Sequence, residues 1–173
     1  MGRPPRDYHP DGIYHLTSHG IDERPIFRDD VDRQRFCIRF RRVVLSERWD
    51  VHAACLMDTH IHLLIRPKLG RVSDGMKLLL GGHSRVFNER HGRRGALFES
   101  RYADREIRDE PHYQETVRYI EENPVAAGLV ESARDWIWST AAERSPLRVS
   151  DTPWHAGRVS DAGSTRPPLP QGV

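Results

Sequence analysis

One segment constrains this chain more than any other: Thr59-His60-Ile61-His62-Leu63-Leu64-Ile65-Arg66. Side chains alternate along a β-strand with a period of two, so Ile61, Leu63 and Ile65 share an apolar face. His60, His62 and Leu64 project from the other. The strand belongs to a sheet with a core under one face and two adjacent imidazoles on the opposite one. Two neutral imidazoles at that spacing can hold one side of a divalent metal. In a chain with ten histidines such a pair also arises by chance, so it needs company before it means chemistry.

That company lies in a helix downstream. The stretch from about Asp109 to Asn123 is predicted helical, with Pro111 suited to its first turn and Pro124 expected to end it. At about 100° per residue, Tyr113, Val117 and Ile120 form a stripe that faces a sheet. Tyr119 lies outside that stripe and shares its own with His112, Thr116 and Asn123, the last one turn further on. A helix laid across the open face of the sheet would present Tyr119 and Asn123 to His60 and His62.

Two imidazoles and one amide oxygen leave positions free for a phosphate oxygen and water. This suits Mg²⁺ or Mn²⁺, with Mn²⁺ better matched to imidazole. Such an ion polarises a scissile phosphate and stabilises the leaving 3′ oxygen. A phenol with a reference pKa of about 10 loses its proton as it attacks phosphorus. The products are a 5′-phosphotyrosine and a free 3′ hydroxyl, and the retained bond energy permits rejoining to a different end without ATP. Glu121 or Glu122 could replace Asn123 as the third ligand, although both also read as surface charges. Asn123-Pro124 equally fits a plain helix stop.

The remaining pattern predicts a fold able to bring these groups together. A first strand is expected over Gly12–His19. A helix follows over Asp29–Ser46, capped by Asp29 or Asp30, with Phe36, Phe40, Val43 and Val44 at helical spacing. Trp49–Met57 reads as a second strand, joined by the short Asp58-Thr59 link to the histidine strand as a hairpin. Val72–His91 is helical, with a kink or break expected at Gly81-Gly82, since each glycine costs about 1 kcal/mol in a helix interior. Gly95–Ile107 reads as a long, irregular fourth strand. The first six elements of this β-α-β-β-α-β-α order match the split βαβ pattern: an α+β, ferredoxin-like antiparallel sheet with two backing helices. The last helix carries Tyr119. A length of 173 residues fits one domain. We expect a flexible arm over residues 1–11, the domain over 12–142, and an irregular tail over 143–173 whose last part, Ser160–Val173, is disordered.

The formal charge of +2 argues only weakly for nucleic acid, but of 27 basic residues all except Lys68 and Lys77 are arginine. Arginine suits bidentate phosphate contacts, although an Arg-favouring codon bias gives the same composition. Candidate phosphate contacts are Arg3 and Arg6 in the arm; Arg39, Arg41 and Arg42 on the first helix; Arg90, Arg93 and Arg94 after the second; and Arg101, Arg105 and Arg108 around the fourth strand. His15 and His19 read as extra ligands, DNA contacts or solvated strand residues. Cys37 and Cys55 have no CxxC spacing and read as reduced core residues of a cytosolic protein. No apolar run reaches the roughly 18 residues that span a bilayer. Met1-Gly2-Arg3-Pro4-Pro5-Arg6 has no apolar stretch behind it, so no secretory signal is expected.

Several blocks in order resemble one known family. They are Gly12-Ile13-Tyr14-His15-Leu16-Thr17-Ser18-His19-Gly20, Ile26-Phe27-Arg28-Asp29-Asp30, Cys55 through Leu64, Phe87-Asn88-Glu89-Arg90-His91-Gly92 and Leu97-Phe98-Glu99-Ser100-Arg101-Tyr102. The run Tyr119 through Val130 and Trp138-Ser139 complete the match. This is similar to the REP-associated tyrosine transposases, within the single-tyrosine HUH, or IS200-like, transposase superfamily. The resemblance implies His60 and His62 as the metal pair, Tyr119 as nucleophile and Asn123 as third ligand. It also implies a ferredoxin-like core in a cytoplasmic, nucleoid-associated bacterial protein acting as monomer or homodimer. Its substrate would be single-stranded DNA near hairpins from repetitive extragenic palindromes, recognised by shape and by unpaired bases. The chain departs from the family at Gly81-Gly82-His83 and at Glu121, where a histidine is common. Neither removes a catalytic group, so an active DNA strand transferase is expected.

The competing reading is a domesticated hairpin-DNA-binding protein without strand transfer. A histidine-triad hydrolase would need a histidine where Leu64 stands, and a plain metal-binding domain leaves Tyr119 unexplained.

Overall fold

Four strands and three helices follow one another in the order β-α-β-β-α-β-α that the patterning predicts. In the computed structural model, which describes residues 8–149, they are β1 (Tyr14–His19), α1 (Asp30–Glu47), β2 (Trp49–Leu56), β3 (His60–Pro67), α2 (Val72–Arg90), β4 (Ala103–Glu106) and α3 (Glu110–Ala126). The strands pair antiparallel in the order β2-β3-β1-β4. This is the α+β, ferredoxin-like arrangement, with the histidine strand β3 between β2 and β1.

Each face of the sheet has its own core. Leu16, Ile61, Leu63 and Ile65 pack with Phe36, Phe40 and Val44 of α1 and Met76, Leu79 and Phe87 of α2. On the other face Ile13, Ala53, Cys55 and Leu64 pack with Ile120, Tyr113 and Val117 of α3. Of the stripe predicted for the last helix Ile120 is fully buried and Tyr113 and Val117 are partly buried, while Thr116, expected beside Tyr119, is buried as well. Asp29 caps α1 by accepting from the Asp32 N–H at 3.1 Å, and Asp109 caps α3 by accepting from the His112 N–H at 2.9 Å. Cys37 and Cys55 are both free and buried, and burial pushes each thiol up to about 12.

Four expectations need correction. α2 runs unbroken through Gly81-Gly82. The Arg39 guanidinium of α1 lies across Gly82, in the space a Cβ would take. The fourth strand spans only four residues, all exposed, where Gly95–Ile107 was expected. The segment before it is tied down singly instead, through Gly20 bridging Phe98 and the Glu99 N–H donating to His19 O at 3.0 Å. α3 does not stop before Pro124; it continues to Ala126 and ends at Gly128, whose φ is +69°. There the Gly128 N–H reaches Val125 O and the Leu129 N–H reaches Pro124 O, both at 2.9 Å, the paired bonds of a Schellman stop.

Finally, packing extends beyond the expected domain limits. Tyr8, placed in the arm, is buried with its hydroxyl 2.9 Å from that of Tyr102. Leu147 and Val149, placed in the tail, are fully buried. Residues 1–7 and the stretch expected to be disordered, 160–173, lie outside the described residues. After α3, Trp136 and Thr140 fold back along β2. The Leu56 N–H donates to Trp138 O and the Thr140 N–H to Ala54 O, each at 2.9 Å, so the outer margin of β2 is paired.

Candidate active site

The register of β1 against β3 sets His19 opposite His60, Thr17 opposite His62 and His15 opposite Leu64. Four histidines thus share one face. The His60 and His62 ring centroids are 5.0 Å apart, and His19 stacks on His60 at 5.0 Å with planes 19° apart. His15 Nε2 lies 3.0 Å from His62 Nδ1, and Thr59 Oγ1 lies 3.0 Å from His60 Nδ1. The turn ahead of His60 is held from the helical layer: Arg33 of α1, almost fully buried, pairs with Asp58, whose carbonyl accepts from the Ile26 N–H at 2.8 Å.

Because α3 buries Ile120 against this face, Tyr119 and Asn123 meet the histidines. Asn123 Oδ1 stands 3.3 Å from His60 Nε2. The Tyr119 ring lies 5.4 Å from the His62 ring and 6.2 Å from that of His15, edge-on to both. Yet Tyr119 is 54% exposed. A large aromatic beside polar rings and half in water contributes little to a core.

Burial, with His15, His60 and His19 adding to it, pushes His62 down to about 3. Burial likewise lowers His15 to about 4, helped by Arg105 and His112. Burial and the facing His19 lower His60, against a smaller upward pull from Asn123. All three rings are therefore neutral at physiological pH, the protonation state a metal requires.

Among the described residues no three His, Cys, Asp or Glu side chains converge as a metal cage. The available donors are two imidazoles and an amide oxygen. His62 Nε2 is buried without a hydrogen-bond partner, an atom whose cost a cation would remove. The residues present fit a divalent ion with open coordination positions.

The other candidates divide by layer. Arg105 lies opposite His15 in the β1–β4 pairing and is exposed, as is Arg101 just before β4. Arg90 is instead engaged on the α1–α2 side, with Nη2 2.7 Å from Asp29 Oδ2 and Nη1 2.7 Å from Asp32 Oδ1. Arg93 lies over the Phe87 ring at 5.7 Å, and Arg94 is exposed. Arg3 and Arg6 lie outside the described residues. The Thr59 contact on His60 was missed by sequence reasoning; its adjacency was visible, but not the direction of its hydroxyl.

The comparisons with known proteins agree with this architecture. The family model described as transposase IS200 like matches residues 9–123, more than half of the chain. A Haemophilus influenzae protein named a REP-associated tyrosine transposase is 24% identical over 146 residues, covering 78% of this chain and 82% of that protein. The solved structure of a REP-associated tyrosine transposase bound to a REP hairpin aligns with a TM-score of 0.63 at 20% identity, covering 81% of this chain and 82% of that one. At that identity the structural likeness speaks for the fold, while the family model speaks for descent. Its match runs through the histidine strand to the amide of α3, and on that ground this chain belongs to the IS200-like transposase family.

Proposed function

We propose that the protein is a metal-dependent single-stranded DNA transesterase that cleaves and rejoins DNA near hairpins through a 5′-phosphotyrosine. The observation that carries this reading is the meeting of Tyr119 and Asn123 with His60 and His62 within one chain. His60, His62 and Asn123 would hold Mg²⁺ or Mn²⁺, which when bound supplies Lewis-acid polarisation of the phosphate and of the leaving oxygen.

The chain's own groups do the rest. Tyr119 Oη attacks phosphorus, the P–O3′ bond breaks, the phenolic proton leaves for solvent and the released 3′ oxygen takes one up. In the return step a 3′ hydroxyl attacks the phosphotyrosine and frees Tyr119. The half-exposed ring gives the nucleophile access to a strand end. Arg105, His15 and His19 share that face and, with the exposed Arg101 ahead of β4, offer phosphate contacts. Because Asn123 reaches His60 and Tyr119 reaches His62 in cis, one chain can build a complete site. By analogy with the relative solved with a REP hairpin, the substrate is a hairpin with flanking unpaired bases. No helix among the described residues is long and apolar enough to cross a membrane.

The test is incubation with hairpin-bearing single strands and Mg²⁺ or Mn²⁺, followed by a denaturing gel. A covalent protein–DNA band with a free 3′ hydroxyl on the released strand is expected. Hairpin binding without any band would leave a DNA-binding protein without strand transfer.

A further inference from the structure

A neutral imidazole carries its hydrogen on one nitrogen and a lone pair on the other, and a metal takes only the lone pair. The contact between His15 Nε2 and His62 Nδ1, 3.0 Å, needs one hydrogen between them. If His15 supplied it, His62 would carry its own hydrogen at Nε2, where it is buried and finds no acceptor. If His62 supplies it from Nδ1, the unpartnered His62 Nε2 keeps its lone pair for a cation.

His60 is placed differently. Its Nδ1 faces the Thr59 hydroxyl at 3.0 Å and its Nε2 faces Asn123 Oδ1 at 3.3 Å. A hydroxyl can donate or accept, whereas an amide oxygen can only accept. Without a cation the Nε2 hydrogen is satisfied by Asn123 while Thr59 donates to Nδ1. With one, Thr59 turns to accept from Nδ1–H, and His60 Nε2 and Asn123 Oδ1 both offer lone pairs to the same space.

We propose that His15 and Thr59 are positioning residues: His15 locks His62 in its Nδ1–H form, and Thr59 lets His60 exchange one tautomer for the other. The inference rests on the reading of His60 and His62 as the metal pair. It gives the two histidines distinct characters, one preset and one adjustable, although they are only two residues apart on one strand.

The test uses the full chain labelled with ¹⁵N, with ring tautomers read from long-range ¹⁵N–¹H spectra at neutral pH, and Mn²⁺ affinity read by electron paramagnetic resonance. In metal-free protein we expect hydrogen on His62 Nδ1 and on His60 Nε2. On adding diamagnetic Mg²⁺, His60 loses the Nε2 hydrogen while His62 keeps its form. His15→Phe releases the His62 preference and weakens Mn²⁺ binding by about 10- to 100-fold, the scale found for partners that orient metal ligands. His15→Gln, with an amide oxygen to accept from Nδ1–H, restores most of it. Thr59→Val weakens binding and Thr59→Ser restores it. Hydrogen on His62 Nε2 in the wild type, or His15→Phe binding Mn²⁺ as tightly as wild type, overturns this inference and leaves the proposed function standing. A wild type that takes up no Mn²⁺ overturns both. Should His15→Phe fail to fold, the tautomers of the wild type and the Thr59 pair still decide.

Discussion

The Tyr119 ring stands edge-on to His62, with centroids 5.4 Å apart and planes at 82°. That edge packs against the histidines while more than half of the residue stays exposed. Tyr119→Phe keeps that ring and its packing but removes the hydroxyl proposed as nucleophile. The covalent DNA adduct should disappear on denaturing gels while hairpin affinity, measured by fluorescence anisotropy, stays at the wild-type value. A persistent adduct would assign the chemistry to another residue.

Acid should weaken the fold through the same histidines. Both rings titrate near 6.5 when unfolded, but burial holds His62 at about 3 and His15 at about 4 in the folded chain. Below about 6.5 the unfolded chain binds protons that the folded chain refuses, so stability present above that pH declines as pH falls toward 4. The slope is at most about 1.4 kcal/mol per pH unit for each ring. Urea midpoints should drop between about pH 7 and pH 5, and the His15→Gln variant should show a shallower drop. Equal midpoints at both pH values would contradict buried neutral rings.

Two glycines of α2 should respond oppositely to alanine. A Cβ at Gly75 would run into the indole of Trp49, which is fully buried and cannot retreat. Gly75→Ala should cost about 1–3 kcal/mol, the range for overpacking. A Cβ at Gly81 meets nothing within 4 Å, so Gly81→Ala should gain about 0.5–1 kcal/mol from helix propensity alone. Thermal or urea unfolding distinguishes the two by sign.

Arg90 and Arg105 should separate stability from DNA binding. Arg90 neutralises Asp29 and the buried Asp32, so Arg90→Ala should lower the melting temperature and leave hairpin affinity alone. Arg105→Ala, on the face shared with His15, should weaken hairpin binding and reduce the slope of log K against log salt by about 1. The reverse assignment would move the DNA path to the α1–α2 side.

Much of this site was legible because two periodicities suffice for it. The alternation of Ile61, Leu63 and Ile65 against His60 and His62 fixes which strand face carries the imidazoles, and the wheel of α3 separates Tyr119 and Asn123 from Ile120. What was hidden depends on partners distant in the chain. Gly82 reads as a helix breaker until Arg39 is seen lying on it. Pro124 reads as a stop, but the helix tolerates it and uses Gly128, one turn later, to satisfy its last carbonyls. Gly95–Ile107 has strand-like composition, yet only Ala103–Glu106 forms a ladder with β1. The coupling of His15 to His62 needs the strand register, which no single segment encodes.

The backbone folded along β2 has a bearing on how this protein behaves in a crowded solution. Long apolar strands invite copies of a chain to add side by side into insoluble ribbons. Here one flank is occupied by the chain's own Trp138 and Thr140, and the opposite flank is the short charged run Ala103-Asp104-Arg105-Glu106. Neither rim offers a long, unpaired apolar template for such growth, so the sheet ends at its own two margins.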